Sequence, residues 1–432
     1  MVDQEESNDD GVSTEPGVPS SRFRKLSGVY RFCFLGFTVV GVLLAVHQIL
    51  ALQVLSTVVL LENSYLYLLL AFYLSNIFLI FPFSQKSPRN HVPIYDLVMF
   101  GLCLFISVYF AVTGLQSLEE GWEFLSPTFP VVVAFFLWGL IMEAARRTGG
   151  PAIAVIFGLF SLYPIFADAS FMPALFSGLP QDIVSTARYH LMSEESVLGI
   201  PMRVFGTLII GFILFGVALQ TTGGGRFFIN LAFALLGGVR GGPAKVAIFA
   251  SGLFGSLSGS VVTNVLTTGA MTIPAMKRTG YPARYAGGIE ACASTGGVLM
   301  PPVMGATAFV MASFLEVPYV AVATAAVVPS FLYFFGLFVQ IDSYAARNGI
   351  KGLPPAELPS ARKTISEGWF YIFGFLLLVY LLIYLKREAH APFYATIALL
   401  ALSQFGKLSP REVWYYVLGF GILVYLGVVL AS

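Results

Sequence analysis

Long apolar runs recur along this chain, and their length is the feature that most limits how it can fold. A hydrocarbon core about 30 Å thick is crossed by roughly 20 helical residues. Because lipid cannot satisfy backbone N–H and C=O groups, a crossing segment must be a helix or part of a closed barrel. Suitable runs lie at residues 29–50, 63–83, 95–114, 128–148, 151–167, 200–222, 317–341, 369–385, 389–405 and 411–430. The pattern predicts an all-α polytopic membrane protein with about ten membrane spans.

The composition agrees with this class and excludes others. Of the 432 residues, 57% are hydrophobic and only 11% are charged, which is typical of an integral membrane protein. A formal net charge of +1 provides no basic surface for nucleic acid, so we expect no nucleic-acid partner. The sequence contains no metal-ligand cluster, phosphate-binding loop or recognisable catalytic arrangement. We therefore expect neither enzyme activity nor a bound cofactor.

The charges between the runs predict an orientation. Residues 1–27 form an acidic tail with a basic end, and the tail lacks the apolar residues needed to fold. Loops 84–94 and 146–150 are basic, whereas loops 51–62 and 115–127 are acidic. Because basic loops stay on the cytoplasmic side, we expect a multi-pass protein of the cell membrane with a cytoplasmic N-terminus.

Residues 246–276 do not fit this alternation. Lys245 precedes the stretch and Lys277 follows it, so both ends are expected in the cytoplasm. Each arm of about 12–15 residues is too short to cross the membrane. We therefore predict a re-entrant helical hairpin whose irregular tip, Gly255 to Ser260, lies near the middle of the membrane.

The next run, residues 285–312, contains Ser294-Thr295-Gly296-Gly297 and then Pro301-Pro302. Proline removes a backbone donor and clashes with the preceding turn, and paired glycines allow the chain to unwind. A helix broken near its centre is therefore predicted. A hairpin followed by a broken helix is the pattern from which secondary transporters build ion and substrate sites.

Residues at these two interruptions are candidates for binding an ion or substrate. Serine hydroxyls at the tip suit sodium, although serine also bonds helix carbonyls without function. Asn264 either contacts substrate or caps the second arm. The two glycines of the broken helix supply either site backbone or close helix packing. The candidate site consists of Ser256, Ser258, Gly259, Ser260, Asn264, Thr295, Gly296, Gly297 and Pro301, with Ser258, Ser260 and Thr295 as candidate sodium ligands.

Two glutamates have competing interpretations. Glu290 is ionisable within a predicted span, which makes it a functional candidate. The alternative is an ion pair with Arg284 or Lys277 at the membrane surface. Glu143 stands three residues before Arg146, a spacing that favours an ion pair at a helix end.

At these residues the chain resembles a known family. GSLSGSVVTNVLTTGAMTIPAMKRTGYP and EACASTGGVLMPPVMGATAFVM are similar to the large membrane subunit of tripartite ATP-independent periplasmic (TRAP) transporters. The likeness covers roughly residues 28–365 and is to the fused type, in which four small-subunit helices precede the large subunit and which works with a TAXI-type binding protein. Many unfused relatives have an aspartate just after the tip, where this chain has Asn264.

The resemblance implies an elevator-type secondary transporter of the inner membrane, driven by sodium as coupling ion. Such a transporter imports an organic anion, a carboxylate, received from an extracytoplasmic TAXI-type solute-binding protein. It also implies a division of the chain. Residues 1–27 are the tail, 28–150 a four-helix scaffold like the small subunit, 151–365 the first repeat of the transport domain, and 366–432 the start of a second half.

After residue 366 the sequence shows no second interrupted segment rich in serine and glycine. A complete large subunit has two inverted repeats, each with its own hairpin. The chain is therefore expected to provide half of the transporter, with the remaining half of the large subunit as a partner beside the binding protein, the organic anion and the lipid bilayer. The alternative is a non-transporting membrane scaffold or a truncated remnant.

Overall fold

The computed structural model describes residues 22–50, 60–84, 86–170 and 172–405, and every regular element in these ranges is helical. Most of the predicted tail and the predicted span 411–430 lie outside them. Seven of the described helical segments are long and apolar enough to cross a membrane. The chain is thus a helical multi-pass membrane protein, and the count of about ten spans stays a prediction.

The helices of the first half begin and end near the predicted runs. They are α1 Gly28–Leu50, α2 Glu62–Ile80, α3 Ile94–Val112, α4 Gly114–Glu119, α5 Thr128–Gly149, α6 Pro151–Leu162 and α7 Ile183–Met192. Asp182 begins α7 by accepting hydrogen bonds from the Val184 and Ser185 amides. The turn Gly149-Gly150-Pro151 ends α5 because Gly150 has a φ of 90° and Pro151 opens α6.

The second half contains shorter helices between longer ones. They are α8 Ile200–Thr221, α9 Gly224–Leu236, α10 Gly242–Ser258, α11 Val261–Arg278, α12 Ala283–Gly297, α13 Ala306–Phe314, α14 Tyr319–Arg347, α15 Ala361–Val379 and α16 Ala391–Phe405. Single π turns interrupt α2 at Leu70–Leu74 and α8 at Phe205–Ile209, and a third, Tyr380–Tyr384, follows α15.

The described chain divides into two compact units. One comprises the residues up to Gly41 together with Tyr67–Ser193, and the other comprises Val42–Leu66 and the residues from Glu194 onward. The predicted domain boundary at residue 150 therefore falls inside the first unit. The reason is packing: the Trp138 indole of α5 donates to the Ser161 hydroxyl of α6 at 3.3 Å, and His190 of α7 contacts the Ser161 carbonyl at 2.7 Å.

A buried ion cluster organises one end of the first unit. Asp96 accepts hydrogen bonds from Arg24 at 2.5 Å and from Arg147 at 2.7 Å, and all three side chains are fully buried. Glu143 bonds both Arg146 and Arg147 at 2.7 Å, which confirms the pair predicted from its spacing. These contacts tie the N-terminal segment and α3 to the end of α5.

The second unit is built around α10, which packs against α8, α9, α11, α12 and α14. Fourteen of its 17 residues are buried, and most of them are small. Small side chains let helices approach closely inside a membrane, where the hydrophobic effect no longer drives association. A stack of Phe212, Phe309 and Tyr319, with ring centroids 4.7 and 4.2 Å apart, joins α8, α13 and α14 beside it.

The hairpin differs in two details from the sequence-based expectation. The prediction that Gly255 to Ser260 is irregular is wrong for its first four residues, because α10 remains helical to Ser258. Gly259 ends it with a φ of 61°, and the Ser260 hydroxyl begins α11 by accepting from the Thr263 amide. The arms have 17 and 18 residues, longer than predicted.

Candidate functional site

The turn between α10 and α11 meets the break between α12 and α13. The Val303 amide donates to the Ser256 carbonyl at 3.2 Å, and the Gly305 amide donates to the Val298 carbonyl at 2.9 Å. From α14, the Tyr319 hydroxyl lies 2.8 Å from the Pro302 carbonyl oxygen and 2.5 Å from that of Val303. These contacts replace part of the helix ladder that is lost in residues 298–305, so the two irregular segments hold each other in place.

Gly259 is required where these segments touch. Its φ of 61° is unfavourable for any residue with a side chain, and a Cβ added there would lie only 2.7 Å from the Met304 carbonyl oxygen. Met304 itself has a φ of 57°, which turns the backbone of the break toward the tip. The site therefore offers backbone carbonyls and amides outside a helix, which is the chemistry predicted for an ion or substrate site.

The three candidate serines have different hydrogen-bond environments. The Ser256 hydroxyl donates to the Leu253 carbonyl at 2.9 Å, and the Ser260 hydroxyl caps α11. The Ser258 Oγ is buried and has no hydrogen-bond partner within the described chain. A buried hydroxyl without a partner is costly, so Ser258 is the serine with an oxygen to offer a ligand. Sodium binding by Ser258 and Ser260 stays a prediction.

Asn264 joins the two arms of the hairpin and does not cap the second arm, because Ser260 does that. Its side-chain amide donates to the Ser251 carbonyl at 2.9 Å, and the residue is fully buried. Beside it, Gly255 and Gly297 touch, since a Cβ on Gly255 would lie 2.6 Å from the Gly297 Cα. Gly297 therefore serves close packing of α12 on α10 in this conformation.

The remaining candidates lie around the end of α12. The Thr295 hydroxyl donates to the Ala291 carbonyl of its own helix at 2.8 Å, and the residue is exposed. Gly296 allows Tyr333 of α14 to pack closely, because a Cβ there would lie 2.4 Å from the tyrosine ring. Pro301 lines an apolar cavity of about 340 Å³. Pro301 thus lies within the break, and Thr295 lies just before it with its hydroxyl bonded to its own helix.

A buried polar cluster lies between α10, α11 and α12. The Glu290 carboxyl group of α12 contacts the hydroxyls of Ser251 and Ser294 at 3.2 Å, and those of Thr268 and Thr272 more closely. All five residues are 0% exposed. The predicted ion pair of Glu290 with Arg284 or Lys277 is wrong, because both cations are exposed and Glu290 lies inside the helix packing.

Four of these hydroxyl residues were not identified from the sequence. A serine or threonine in a helix usually bonds a carbonyl of the preceding turn, so each one alone carries no signal. The informative pattern is spacing: Asn264, Thr268 and Thr272 recur every four residues on one face of α11, and Glu290 and Ser294 do so on α12. Polar stripes on two otherwise apolar helices indicate that the two helices pack with these faces toward each other.

Comparison with known proteins identifies the family. The family model described as "Tripartite ATP-independent periplasmic transporter, DctM component" matches residues 136–428, which is more than half of the chain. The match includes α10 to α13 and extends past residue 365, where the resemblance noted from the motifs ends. It begins after α4, so fusion with a small subunit is not shown by it.

Curated relatives carry names of the same kind. The C4-dicarboxylate TRAP transporter large permease protein DctM of Pseudomonas aeruginosa is 33% identical over 222 residues, covering 50% of this chain and 51% of that protein. The isethionate TRAP transporter permease protein DctMQ of Oleidesulfovibrio alaskensis is 31% identical over 180 residues, covering 42% and 24%. The sialic acid TRAP transporter permease protein SiaT of Haemophilus influenzae is 26% identical over 252 residues, covering 49% and 41%.

This chain spans about half, or less, of the length of these curated relatives. Members of the family are transporters and not enzymes. The helical fold, the two interrupted segments in contact and the match over residues 136–428 agree with one another. The chain belongs to the family of DctM components, the large membrane permeases of TRAP transporters.

Proposed function

We propose that this chain is a permease component of a sodium-coupled TRAP transporter that imports an organic anion. The observation that carries the proposal is that residues 298–305, a break between helices, contact both the end of α10 at Ser256 and the turn at Gly259, inside a helical membrane protein. Backbone groups released from helices at membrane depth are tolerated only where protein, water or a ligand satisfies them. A site of this kind is what a secondary transporter needs.

The proposed ligands follow from the chemistry of these segments. The buried Ser258 hydroxyl and the carbonyls of the break suit sodium, a hard cation that prefers oxygen ligands. α11 begins at Val261, directly after the turn, and α13 begins at Ala306, directly after the break. The amides at a helix N-terminus favour an anion such as a carboxylate. The relatives named for C4-dicarboxylate and sialic acid support an organic acid as substrate.

We further propose that the substrate is delivered by an extracytoplasmic solute-binding protein of the TAXI type and that a further part of the large subunit completes the site. Family membership supports a binding-protein partner. The length of the relatives supports a further half, since the matched segments cover about half of them or less. The elevator mechanism, the small-subunit role of residues 28–150 and a cytoplasmic N-terminus belong to the same proposal.

The experiment is uptake by the complete assembly in proteoliposomes. The membrane components are reconstituted, and labelled organic acids, beginning with C4-dicarboxylates, are added with and without the purified binding protein. We expect uptake of at least one organic acid only when the binding protein is present. Uptake that is the same without a binding protein would contradict the delivery mechanism, and absence of uptake for every acid would favour a non-transporting role.

A further inference from the structure

Glu290 is an ionisable residue buried without an opposite charge beside it, and the proposed site at the hairpin tip does not explain how its charge is balanced. Its carboxyl group is fully buried among three helices, and its partners Ser251, Thr268, Thr272 and Ser294 are neutral. Hydroxyls supply hydrogen bonds but no opposite charge. Burial of an unpaired ionised carboxylate is so costly that the group is normally neutralised.

Charged and titratable groups on the helices packed against α12 are engaged elsewhere. Lys245 of α10 bonds Asp342 of α14 at 2.6 Å, and Arg240 bonds the same carboxylate. The Tyr333 hydroxyl of α14 donates to the Cys292 carbonyl at 2.9 Å, and the rings of Tyr285 and Tyr344 stack on each other. The remaining cations of α11, α12 and α14 are exposed; they are Lys277, Arg278, Arg284 and Arg347. Among the described residues, none of these groups contacts Glu290.

The contacts of the Thr272 hydroxyl provide a place for a proton on the Glu290 carboxyl group. The Thr272 hydroxyl lies 3.0 Å from the Thr268 carbonyl, which can only accept. The same Thr272 oxygen contacts Glu290 Oε2. A hydroxyl has one hydrogen, so if Thr272 donates to the carbonyl it must accept from Oε2. Oε2 can donate only when the carboxyl group carries a proton.

The other carboxyl oxygen fits the same assignment. Ser251 and Ser294 hydroxyls lie 3.2 Å from Glu290 Oε1 and can each donate to it. The Thr268 hydroxyl is closer still and donates to the same oxygen, because Oε1 carries no hydrogen of its own. With one proton on Oε2, the carboxyl group is neutral and both of its oxygens have partners of the correct kind.

We propose that Glu290 is a proton-binding site, with the proton on Oε2 donated to Thr272 and with Ser251 and Ser294 donating to Oε1. All five side chains of the cluster are 0% exposed, so bulk water does not reach the carboxyl group in this conformation. A proton bound in one conformation and released in another is carried through a conformational cycle. Only this last step, the link to transport, rests on the proposed function.

Infrared spectroscopy of the purified full chain tests the proton site without any transport assay. The wild type, Glu290→Gln and a matched control, Glu143→Gln, are compared at neutral pH in potassium buffer. Glu143 is a suitable control because it is paired with two arginines. We expect a carbonyl band of a protonated carboxylic acid that is lost in Glu290→Gln and kept in Glu143→Gln. Thr272→Val keeps the acid but removes its partner, so the band should remain and shift in frequency.

Two results would overturn the proposal. One is a neutral-pH spectrum in which folded Glu290→Gln and the wild type have the same protonated-acid band. The other is loss of the band at constant pH when sodium replaces potassium, since that would assign the cluster to sodium. If Glu290→Gln does not fold, Thr272→Val is used instead. A protonated-acid band at the wild-type frequency in Thr272→Val would contradict the proposed hydrogen bond from Glu290 to Thr272.

Uptake by the complete assembly then tests the link to transport. The rate is measured across neutral and mildly acidic pH, and Glu290→Gln should remove the pH dependence that the wild type shows. An unchanged pH profile in the variant would contradict the link. A wild-type assembly without any uptake would count against the proposed function alone, because the infrared band decides the proton site independently.

Discussion

At the scale of single residues, the structure distinguishes the three serines near the hairpin tip, and the sodium site stays a prediction. The sequence identified Ser256, Ser258 and Ser260 as site candidates, with Ser258 and Ser260 as sodium ligands, but only coordinates show which hydroxyl is engaged. Ser256 bonds its own helix and Ser260 caps the next one, whereas the buried Ser258 hydroxyl has no partner in the described chain. Spacing in the sequence could not separate these cases, because each depends on where α10 ends.

Ser258→Ala should therefore reduce binding without destabilising the fold. Loss of one ligand oxygen costs about 1–3 kcal/mol, so we expect a roughly 5- to 150-fold weaker apparent affinity for sodium in transport by the complete assembly. The thermal-denaturation midpoint should change little. Ser330→Ala, which removes a hydroxyl bonded to the Val327 carbonyl at 3.0 Å in α14, is the matched control. Wild-type sodium dependence in Ser258→Ala would remove Ser258 from the ion site.

Glu290 shows the limit of prediction at this scale. The sequence marked it as an unusual ionisable residue, and the expected partner was a nearby cation. The structure instead surrounds it with hydroxyls from α10, α11 and its own helix α12, because the packing of these helices brings Ser251 and the two polar stripes together. The sequence shows the four-residue spacing within α11 and within α12, and only the three-dimensional packing brings these two stripes and Ser251 together.

At the scale of elements, the hairpin and the broken helix depend on each other. The positions of both interruptions could be predicted, since Gly259 and the Gly296-Gly297 and Pro301-Pro302 pairs are local signals. Their contact could not, because it depends on how α12 packs against α10. The Val303–Ser256 hydrogen bond and the close approach of Gly259 to Met304 are the observed links.

Gly259→Ala tests this contact. Alanine in a left-handed conformation costs about 1–2 kcal/mol, and a Cβ 2.7 Å from the Met304 carbonyl adds a steric cost of about 1–3 kcal/mol. Gly349→Ala is a control for the first effect alone, since Gly349 has a φ of 62° and open space around it. Thermal denaturation in detergent should show a larger loss for Gly259→Ala. Equal losses would mean that the contact with the break contributes nothing.

The loop between α15 and α16 supports the start of α14. Glu388 accepts a hydrogen bond from the Tyr319 amide at 2.9 Å, and burial raises the pKa of Glu388 above its ordinary value. A raised pKa means that the folded state binds this proton more tightly than the unfolded state does. The contribution to stability is then complete below the unfolded pKa and is lost as the pH rises through the folded pKa.

Glu388→Gln should remove this part of the pH dependence. We expect the wild-type denaturation midpoint to fall as the pH rises from about 4.3, the usual pKa of glutamate, and the variant's midpoint to fall less. Glu367→Gln changes an exposed carboxylate of α15 and should follow the wild type. If Glu388→Gln and the wild type have parallel profiles, Glu388 does not account for the dependence.

At the scale of the whole molecule, the fold class was the most predictable feature. The length and hydropathy of the apolar runs are sufficient to indicate membrane helices, and every regular element of the described chain is helical. The compact units were not predictable, because α6 and α7 join the first unit through contacts such as Trp138 with Ser161. The side of the membrane reached by each loop depends on charges that act during insertion and stays a prediction.

Cysteine labelling tests the predicted return of the hairpin to the cytoplasmic side. Lys245 is a poor labelling position because it is buried and paired with Asp342, so Val239 and Lys277, which are exposed, are replaced by cysteine in a background without Cys33, Cys103 and Cys292. Both should react with an impermeant thiol reagent only after the cytoplasmic face is opened. Reaction of Lys277→Cys from outside, with Val239→Cys protected, would mean that the α10–α11 segment does not return to the cytoplasmic side.

The central claim, a permease driven by sodium through the site at Gly259 and Met304, is tested most directly by uptake under an imposed gradient. The complete assembly with its binding protein is reconstituted in proteoliposomes without ATP, and uptake of a labelled organic acid is followed. We predict accumulation under an inward sodium gradient and none when sodium is absent on both sides. Uptake that persists at the same rate without sodium would contradict the claim.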